Sequence, residues 1–393
     1  MKKIRVAMIV IDANEVAGDF LARIHAESPS VHPVIWSLAK ALALRNQIEL
    51  EVIYGSSKVS TPAQHLRDGV LCVAIPPLFR RGYIMGMGMF GRGLGILHYL
   101  KRKPFDLVHG QGTEREAGWV ASYSHRPSLI TLHGNFLQIQ KIFGGPPWGY
   151  YPMAARLERW ALNRIGGIVC ISRYVRGITS SFEKEQFVIP NAVRHEFLNT
   201  PRGEVTGKPP RVVYMGTFDR RKRPDAILKI CELAWGRGAQ FTLHFYGGSG
   251  FGQTFQSQLE SSCEAHVQNG RVFFEGFAQE PWKVWAGARV GISASIEESF
   301  GMNVLEAMAT GTPVIAPAVG GILDIVEDGV SGFLYPPENL AFASDVLLRL
   351  LRAPSEWDAM SRAAQKRATA FSSDRIAERT EEMYRKFLKR NHP

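Results

Sequence analysis

Residues 288–316 read ARVGISASIEESFGMNVLEAMATGTPVIA, and the order of apolar, acidic and glycine positions in this stretch decides the fold. Val290, Ile292 and Ala294 among small neighbours predict a buried strand. Ser299 is the expected helix N-cap and Gly311 the expected stop, so a helix runs from Met302 to Thr310. Its Val304, Leu305 and Met308 suit a buried face, while Asn303 and Glu306, three apart, share another side. Glu298 sits at the mouth of this helix and Glu306 one turn inside. A ligand over the helix start would meet two carboxylates and the unpaired amides of residues 300–303. Two glutamates at this spacing are by themselves more often a solvated helix face; the flanking strands and glycines reverse that preference.

Outward from this stretch, short apolar strands alternate with helical segments along the chain. On the N-terminal side they are IRVAMIVI, IELEVIY, LCVAI, DLVH, SLITLH, GGIVCI and QFVIP. Such alternation predicts α/β architecture with parallel sheets, whose ligands bind at the carboxyl ends of the strands. Residues 190–210 are rich in Pro, Gly and polar residues without periodicity and read as a linker. The expected division is therefore a first domain over 1–190, a linker over 191–210, a second domain over 211–371 and a C-terminal helix over 372–393. The second domain opens with RVVYMGTFDRRKRPDAILK: strand, Gly216, a basic cluster and a helix. Arg221 and Lys222 at a helix start suit a diphosphate. Gly247, Gly248 and Gly250 allow a backbone to approach a ligand closely.

The string E-S-F-G-M-N-V-L-E, followed by A-M-A-T-G-T-P-V-I-A and V-G-G-I-L-D-I-V, resembles the signature of family 4 glycosyltransferases. The resemblance implies the GT-B fold, two Rossmann-like domains with parallel sheets facing across a cleft. It also implies transfer of a sugar from a nucleotide sugar to a glycan or lipid-linked acceptor, with retention of configuration, in cell-surface polysaccharide or glycolipid synthesis. By the same resemblance Glu306 holds the nucleotide ribose and Glu298 lies beside the donor sugar. Phe300, Gly301, Met302 and Asn303 then supply amides, and Gly248 and Phe277 line the donor and its base. Relatives often read G-R with a Lys five residues after the Arg; here Gly216 and Lys222 keep the spacing, but Thr217 stands in place of the Arg, so Arg221 or Arg220 supplies the second cation. The Gly-Gly loop usual after the first strand is replaced by Ala13-Asn14-Glu15-Val16-Ala17-Gly18. Catalytic candidates are Glu298, His133, Lys222 and Arg221, with His133 assigned by a strand-end histidine of the family that approaches the donor sugar. No D-x-D motif occurs, so no metal and no cofactor beyond the nucleotide-sugar co-substrate are expected. The rival readings are an epimerase or phosphorylase on the same fold and a non-catalytic nucleotide-sugar-binding protein.

His32, at the end of the connection HAESPSVHP, is either an acceptor-side residue or part of a surface loop leading into a helix. His109 is either a lining residue or core, and Asn135 follows a strand end on the acceptor side. The formal charge of +11 over 393 residues permits an anionic partner. Nucleic acid is disfavoured, because the sequence shows no basic and aromatic interleaving. Residues 80–103, RRGYIMGMGMFGRGLGILHYLKRK, fit two readings. One is a helix lying on an anionic membrane through Arg80, Arg81, Arg92, Lys101, Arg102 and Lys103, with Met87, Met89 and Phe90 inserted. The other is an ordinary helix covering the first sheet. The literal G-x-G-x-x-G within it lacks the preceding strand that a dinucleotide site needs. Four scattered cysteines without a C-x-x-C pair read as core thiols in a reducing compartment. No run approaches the roughly 20 apolar residues of a membrane span, so the expected location is cytoplasmic or peripheral on the inner membrane face.

Overall fold

A computed structural model describes residues 3–11, 32–79, 87–113, 115–202, 209–248 and 254–391, with side chains from 89 onward in the third of these. The loop expected at Asp12–Gly18, most of HAESPSVHP, Arg80–Gly86, Glu114 and Gly250 lie outside the described residues. The chain divides into two compact units, Met1–Ala192 with Ser373–Pro393, and Val193–Ser372. Part of the stretch read as a linker, from Val193 through the helix His195–Asn199, thus belongs to the second unit, with Phe197 fully buried.

The first unit holds β1 (Ile4–Ile9), β2 (Ile48–Gly55), β3 (Ala63–Arg67), β4 (Val70–Ile75), β5 (Leu107–Gln111), β6 (Ser128–Leu132), β7 (Gly167–Cys170) and β8 (Glu185–Val188). They form one sheet in the order β3-β4-β2-β1-β5-β6-β7-β8. All pairs are parallel except β3 with β4. Strand β3 was not expected, because AQHLR is polar and largely exposed. A turn makes it: Asp68 and Gly69 both have positive φ, 47° and 78°, the geometry of a two-residue hairpin loop that Asp-Gly favours. The C-terminal helix Ser373–Asn391 packs on this unit, burying Ile376, Met383, Tyr384 and Phe387.

The second unit holds β9 (Arg211–Thr217), β10 (Thr242–Gly248), β11 (Val272–Gly276), β12 (Val290–Ile292), β13 (Val314–Pro317) and β14 (Phe333–Tyr335). Every pair is parallel, in the order β11-β10-β9-β12-β13-β14. Counted from the first strand this is the doubly wound arrangement, in which the winding reverses between β9 and β12 and opens a crevice at their carboxyl ends. Both motifs singled out in the sequence, the basic cluster after β9 and the acidic loop after β12, emerge at this reversal.

Two glycines set how closely β9 and β10 approach. Gly247 has φ +127°, and a Cβ there would lie 1.9 Å from the Gly216 carbonyl oxygen. Gly236, exposed at the end of the helix Pro224–Gly236, has nothing within 4 Å of a built Cβ. Gly247→Ala should therefore lower stability by at least ~1–3 kcal/mol, while Gly236→Ala should raise it by up to ~1 kcal/mol. Equal effects in urea unfolding would contradict this account of the strand crossing.

Candidate active site

Asp219 organises the loop after β9. Its Oδ1 accepts from the backbone amides of Arg221 and Lys222, both at 2.9 Å, and its Oδ2 accepts from Thr217 Oγ1 at 2.6 Å. The loop after β12 is tied to it, since Ile296 N donates to Arg221 O at 2.9 Å and Arg221 donates to Glu297 O at 3.2 Å. In this frame Lys222 Nζ donates directly to Glu298 Oε1. Ser295 Oγ donates to the same oxygen at 2.9 Å, and Arg221 lies 3.7 Å from Glu298 Oε2 and 3.9 Å from Glu297 Oε2. The Glu298 side chain is 7% exposed and that of Lys222 14%. Burial alone would raise the Glu298 pKa; the charges of Lys222 and Arg221 and the bonds from Lys222 and Ser295 outweigh it and hold the carboxyl below its ordinary value.

The helix after this loop is Met302–Ala309 and ends at Thr310 and Gly311, the latter at φ +79°. Ser299 is not its cap. Gly301 is, at φ +106°, and it makes no side-chain cap. A Cβ on Gly301 would come within 3.0 Å of Ile322, so the left-handed turn and the close packing both call for glycine. The cap residue therefore takes none of the amides at this helix start with a side chain of its own. Asn303 reaches back to Met215 O at 3.3 Å and fixes the helix against the end of β9. Glu306 is half-buried; burial pushes its pKa up to about 7, with the nearby Arg194 charge opposing. Gly320 and Gly321 approach the same loop, and a Cβ on Gly320 would lie 2.0 Å from Glu298 O. Phe277 is exposed at 49%, not core, and its ring would meet a Cβ on Gly248 at 3.3 Å. The structure thus brings Gly216, Thr217, Arg221, Lys222, Glu298, Asn303 and the helix start together around the β9–β12 reversal. Asp219, Ser295, Glu297 and Arg194 were missed; Asp219 was masked by the basic run that follows it.

In the first unit His133 is held on both sides, Nε2 lying 2.8 Å from Gln111 Oε1 and Nδ1 3.1 Å from Asn191 Oδ1. A neutral imidazole donates once, so one of these amides turns its NH2 to the ring. Burial, with the charge of His32, lowers the His133 pKa to about 3, against the Asn191 bond. His109 is buried at 1% exposure, with Nδ1 2.7 Å from Tyr384 Oη and Nε2 2.7 Å from Thr131 Oγ1, and it lines a cavity together with His133. Asn135 is buried and caps the helix Phe136–Phe143, accepting from Gln138 N at 3.3 Å. His32 caps the helix Pro33–Ala43 through Nδ1, 3.4 Å from Val34 N. Arg92 cannot reach headgroups as expected, because it is turned inward to Glu116 at 2.8 Å, 10% exposed, on the helix Met87–Lys101. Charges on a covering helix prefer a buried partner to the core surface they would otherwise face.

The second unit thus brings cations and carboxylates together at the reversal of a doubly wound sheet. Two family models match: Glycosyltransferase Family 4 over residues 31–197 and glycosyl transferases group 1 over residues 199–367. The D-inositol 3-phosphate glycosyltransferase of Mycolicibacterium paratuberculosis is 34% identical over 182 residues, 45% of this chain and 40% of that protein. The match thus spans about two-fifths of that relative's length. The 2-deoxystreptamine glucosyltransferase of Streptomyces kanamyceticus is 26% identical over 350 residues, 82% of this chain and 89% of that one. Among solved structures, sucrose-phosphate synthase from Thermosynechococcus elongatus superposes with a TM-score of 0.77 at 19% identity, covering 98% of this chain and 100% of the other. HepE of Anabaena in complex with UDP-glucose superposes at 0.73 with 16% identity, over 98% and 100%. The chain belongs to the family 4 glycosyltransferases and has the GT-B fold.

Removing one partner of a buried ion pair leaves the other charge stranded, at a cost on the order of 3 kcal/mol or more. Lys222→Met and Glu298→Gln should each destabilise the protein, and the double variant should lose clearly less than the sum. Strict additivity in urea unfolding would mean that the pair is not coupled.

Proposed function

We propose that the protein transfers a sugar from a nucleotide-sugar donor to a glycan or lipid-linked acceptor, with retention of anomeric configuration, in cell-surface polysaccharide or glycolipid synthesis. The observation that carries this reading is the Arg221–Lys222–Glu298 cluster beside a glycine-capped helix start at the β9–β12 reversal. Glycosyl transfer leaves a diphosphate while positive charge gathers at the sugar carbon. Two cations and backbone amides stabilise the first, and a carboxylate kept ionised, Glu298, suits the second. Lys222, now bonded to Glu298, would turn part of its charge to the diphosphate, so that no divalent ion is required. In the second unit Glu306 takes the ribose hydroxyls and Phe277 the base; in the first unit His133, Asn135 and His32 are the candidates for sugar and acceptor binding. That the UDP-glucose complex of HepE shares this fold supports a nucleotide-sugar donor. No helix among the described residues is long and apolar enough to cross a membrane. We place the protein in the cytoplasm, in peripheral contact with an anionic membrane face where a lipid-linked acceptor would lie.

A thermal-shift panel of nucleotide sugars should find one that stabilises the protein, by roughly 2.7 kcal/mol at 100 times its Kd. Glu306→Ala should raise the donor KM about ten- to a hundredfold, and Glu298→Gln should lower kcat more than it raises KM. The reverse pattern would exchange their roles. An epimerase would instead interconvert the donor sugar with no acceptor present.

The raised pKa of Glu306 gives a further prediction. The carboxylate is the better acceptor for two hydroxyls, so donor binding favours the ionised form. Donor affinity should rise with pH from 6 towards 8, levelling above about 7. The diphosphate of a nucleotide sugar does not titrate there. Calorimetric Kd values that stay flat across this range, or a rise that persists in Glu306→Gln, would remove Glu306 from the ribose site.

A further inference from the structure

Residues 117–182 contain seven Lys or Arg and a single acid, Glu158. That acid is fully buried: it accepts from Thr113 Oγ1 at 2.6 Å and from Leu137 N at 3.0 Å. The seven basic residues are all exposed. The helix Tyr150–Arg164 shows how they are arranged. Ala154, Ala155, Glu158, Ala161 and Leu162 form its buried side. Met153, Arg156, Trp160 and Arg164, at helical spacing, lie on the opposite side, with Arg159 beside them, all exposed. Met153 is 51% and Trp160 39% exposed, and Trp148, at the tip of Gly144-Gly145-Pro146-Pro147-Trp148, is 80% exposed. Arg156 ties this tip to the helix by donating to Pro147 O at 2.5 Å. Trp160 stacks on Tyr123 at 4.8 Å with Arg164 over the same ring at 4.2 Å, so the face is preformed.

We propose that this face, Trp148 with the outer side of Tyr150–Arg164, is the surface that docks on an anionic lipid bilayer. Indole and thioether side chains fit the headgroup boundary, and guanidinium groups between them pair with lipid phosphates. A Trp 80% exposed on a Pro-Pro tip, beside exposed arginines, has the position that indoles take at the headgroup boundary of an anionic bilayer. The helix also packs on Phe136–Phe143, whose cap Asn135 lies two residues beyond His133, so docking here would put headgroups beside the proposed acceptor side. The inference rests on the reading of peripheral membrane contact and moves that contact away from residues 80–103, where Arg92 is buried.

Flotation of the full chain with phosphatidylcholine vesicles, with and without phosphatidylglycerol, tests it. The wild type should float only with phosphatidylglycerol and should sink at high salt. Arg156→Gln/Arg159→Gln/Arg164→Gln should weaken partition about a hundredfold, from about fivefold per basic residue. Trp148→Ser should also release the protein, with Tm unchanged because its side chain is 80% exposed, and Trp148→Ser/Trp160→Ser should release it further, with a lower Tm from the lost stack on Tyr123. Phe90→Ser, on the helix Met87–Lys101, should leave flotation unchanged. A wild type that floats together with the Trp and Arg variants overturns this surface and spares the membrane reading. A wild type that stays at the bottom ends both. Binding of a single-stranded oligonucleotide with the same dependence on Trp148 and the three arginines, but no binding to vesicles, would assign the face to nucleic acid instead.

Discussion

The contact between Lys222 and Glu298 is the constraint on which the second unit turns. Two opposite charges are held where little solvent reaches them, and such a pair gains little net stability, because desolvation offsets most of the attraction. Its use is positional. It requires that the loop after β9 and the loop after β12 meet, and these loops flank the reversal of the sheet. Asp219 and Ser295 spend their own hydrogen bonds on holding the pair in place. A pair buried at such a place holds a cation beside a carboxylate that stays ionised, in a region of low dielectric where each acts strongly.

Close backbone packing is the second requirement. Gly247 against Gly216, Gly320 against Glu298, and Gly301 against Ile322 are each approaches that a side chain would block. Gly301 has a further effect, because a left-handed glycine ends the loop without a capping side chain of its own. Steric economy and chemistry thus act through the same residues.

Much of this could be read in the sequence. The buried strand, the helix and the strand of residues 288–316 follow from apolar spacing, and the alternation of strands and helices gave the parallel sheets. The pairing of Lys222 with Glu298 was not legible, since it joins residues 76 positions apart. Ser299 misled because capping propensity is local, whereas Gly301 answers to Ile322 from a later turn. Strand β3 escaped because an edge strand needs no apolar alternation, although Asp68-Gly69 carried the signal. For His109 the sequence left lining and core open; its partner Tyr384 comes from the last helix, which no local pattern reveals. The basic and aromatic face of Tyr150–Arg164 is hidden in the linear sequence by intervening alanines and leucines and appears only at helical spacing.

The central claim is that cations of the protein hold the donor diphosphate without a metal ion. Calorimetric titration of a nucleoside diphosphate into the wild type and into Lys222→Met/Glu298→Gln, in the presence of EDTA, tests it most directly. Because the double variant removes both members of the pair, no buried charge is stranded by its making. The account predicts that the wild type binds in EDTA and that the variant binds about ten- to a hundredfold more weakly. Binding by the wild type that appears only when Mg2+ or Mn2+ is added, or equal affinity in both proteins, would contradict it.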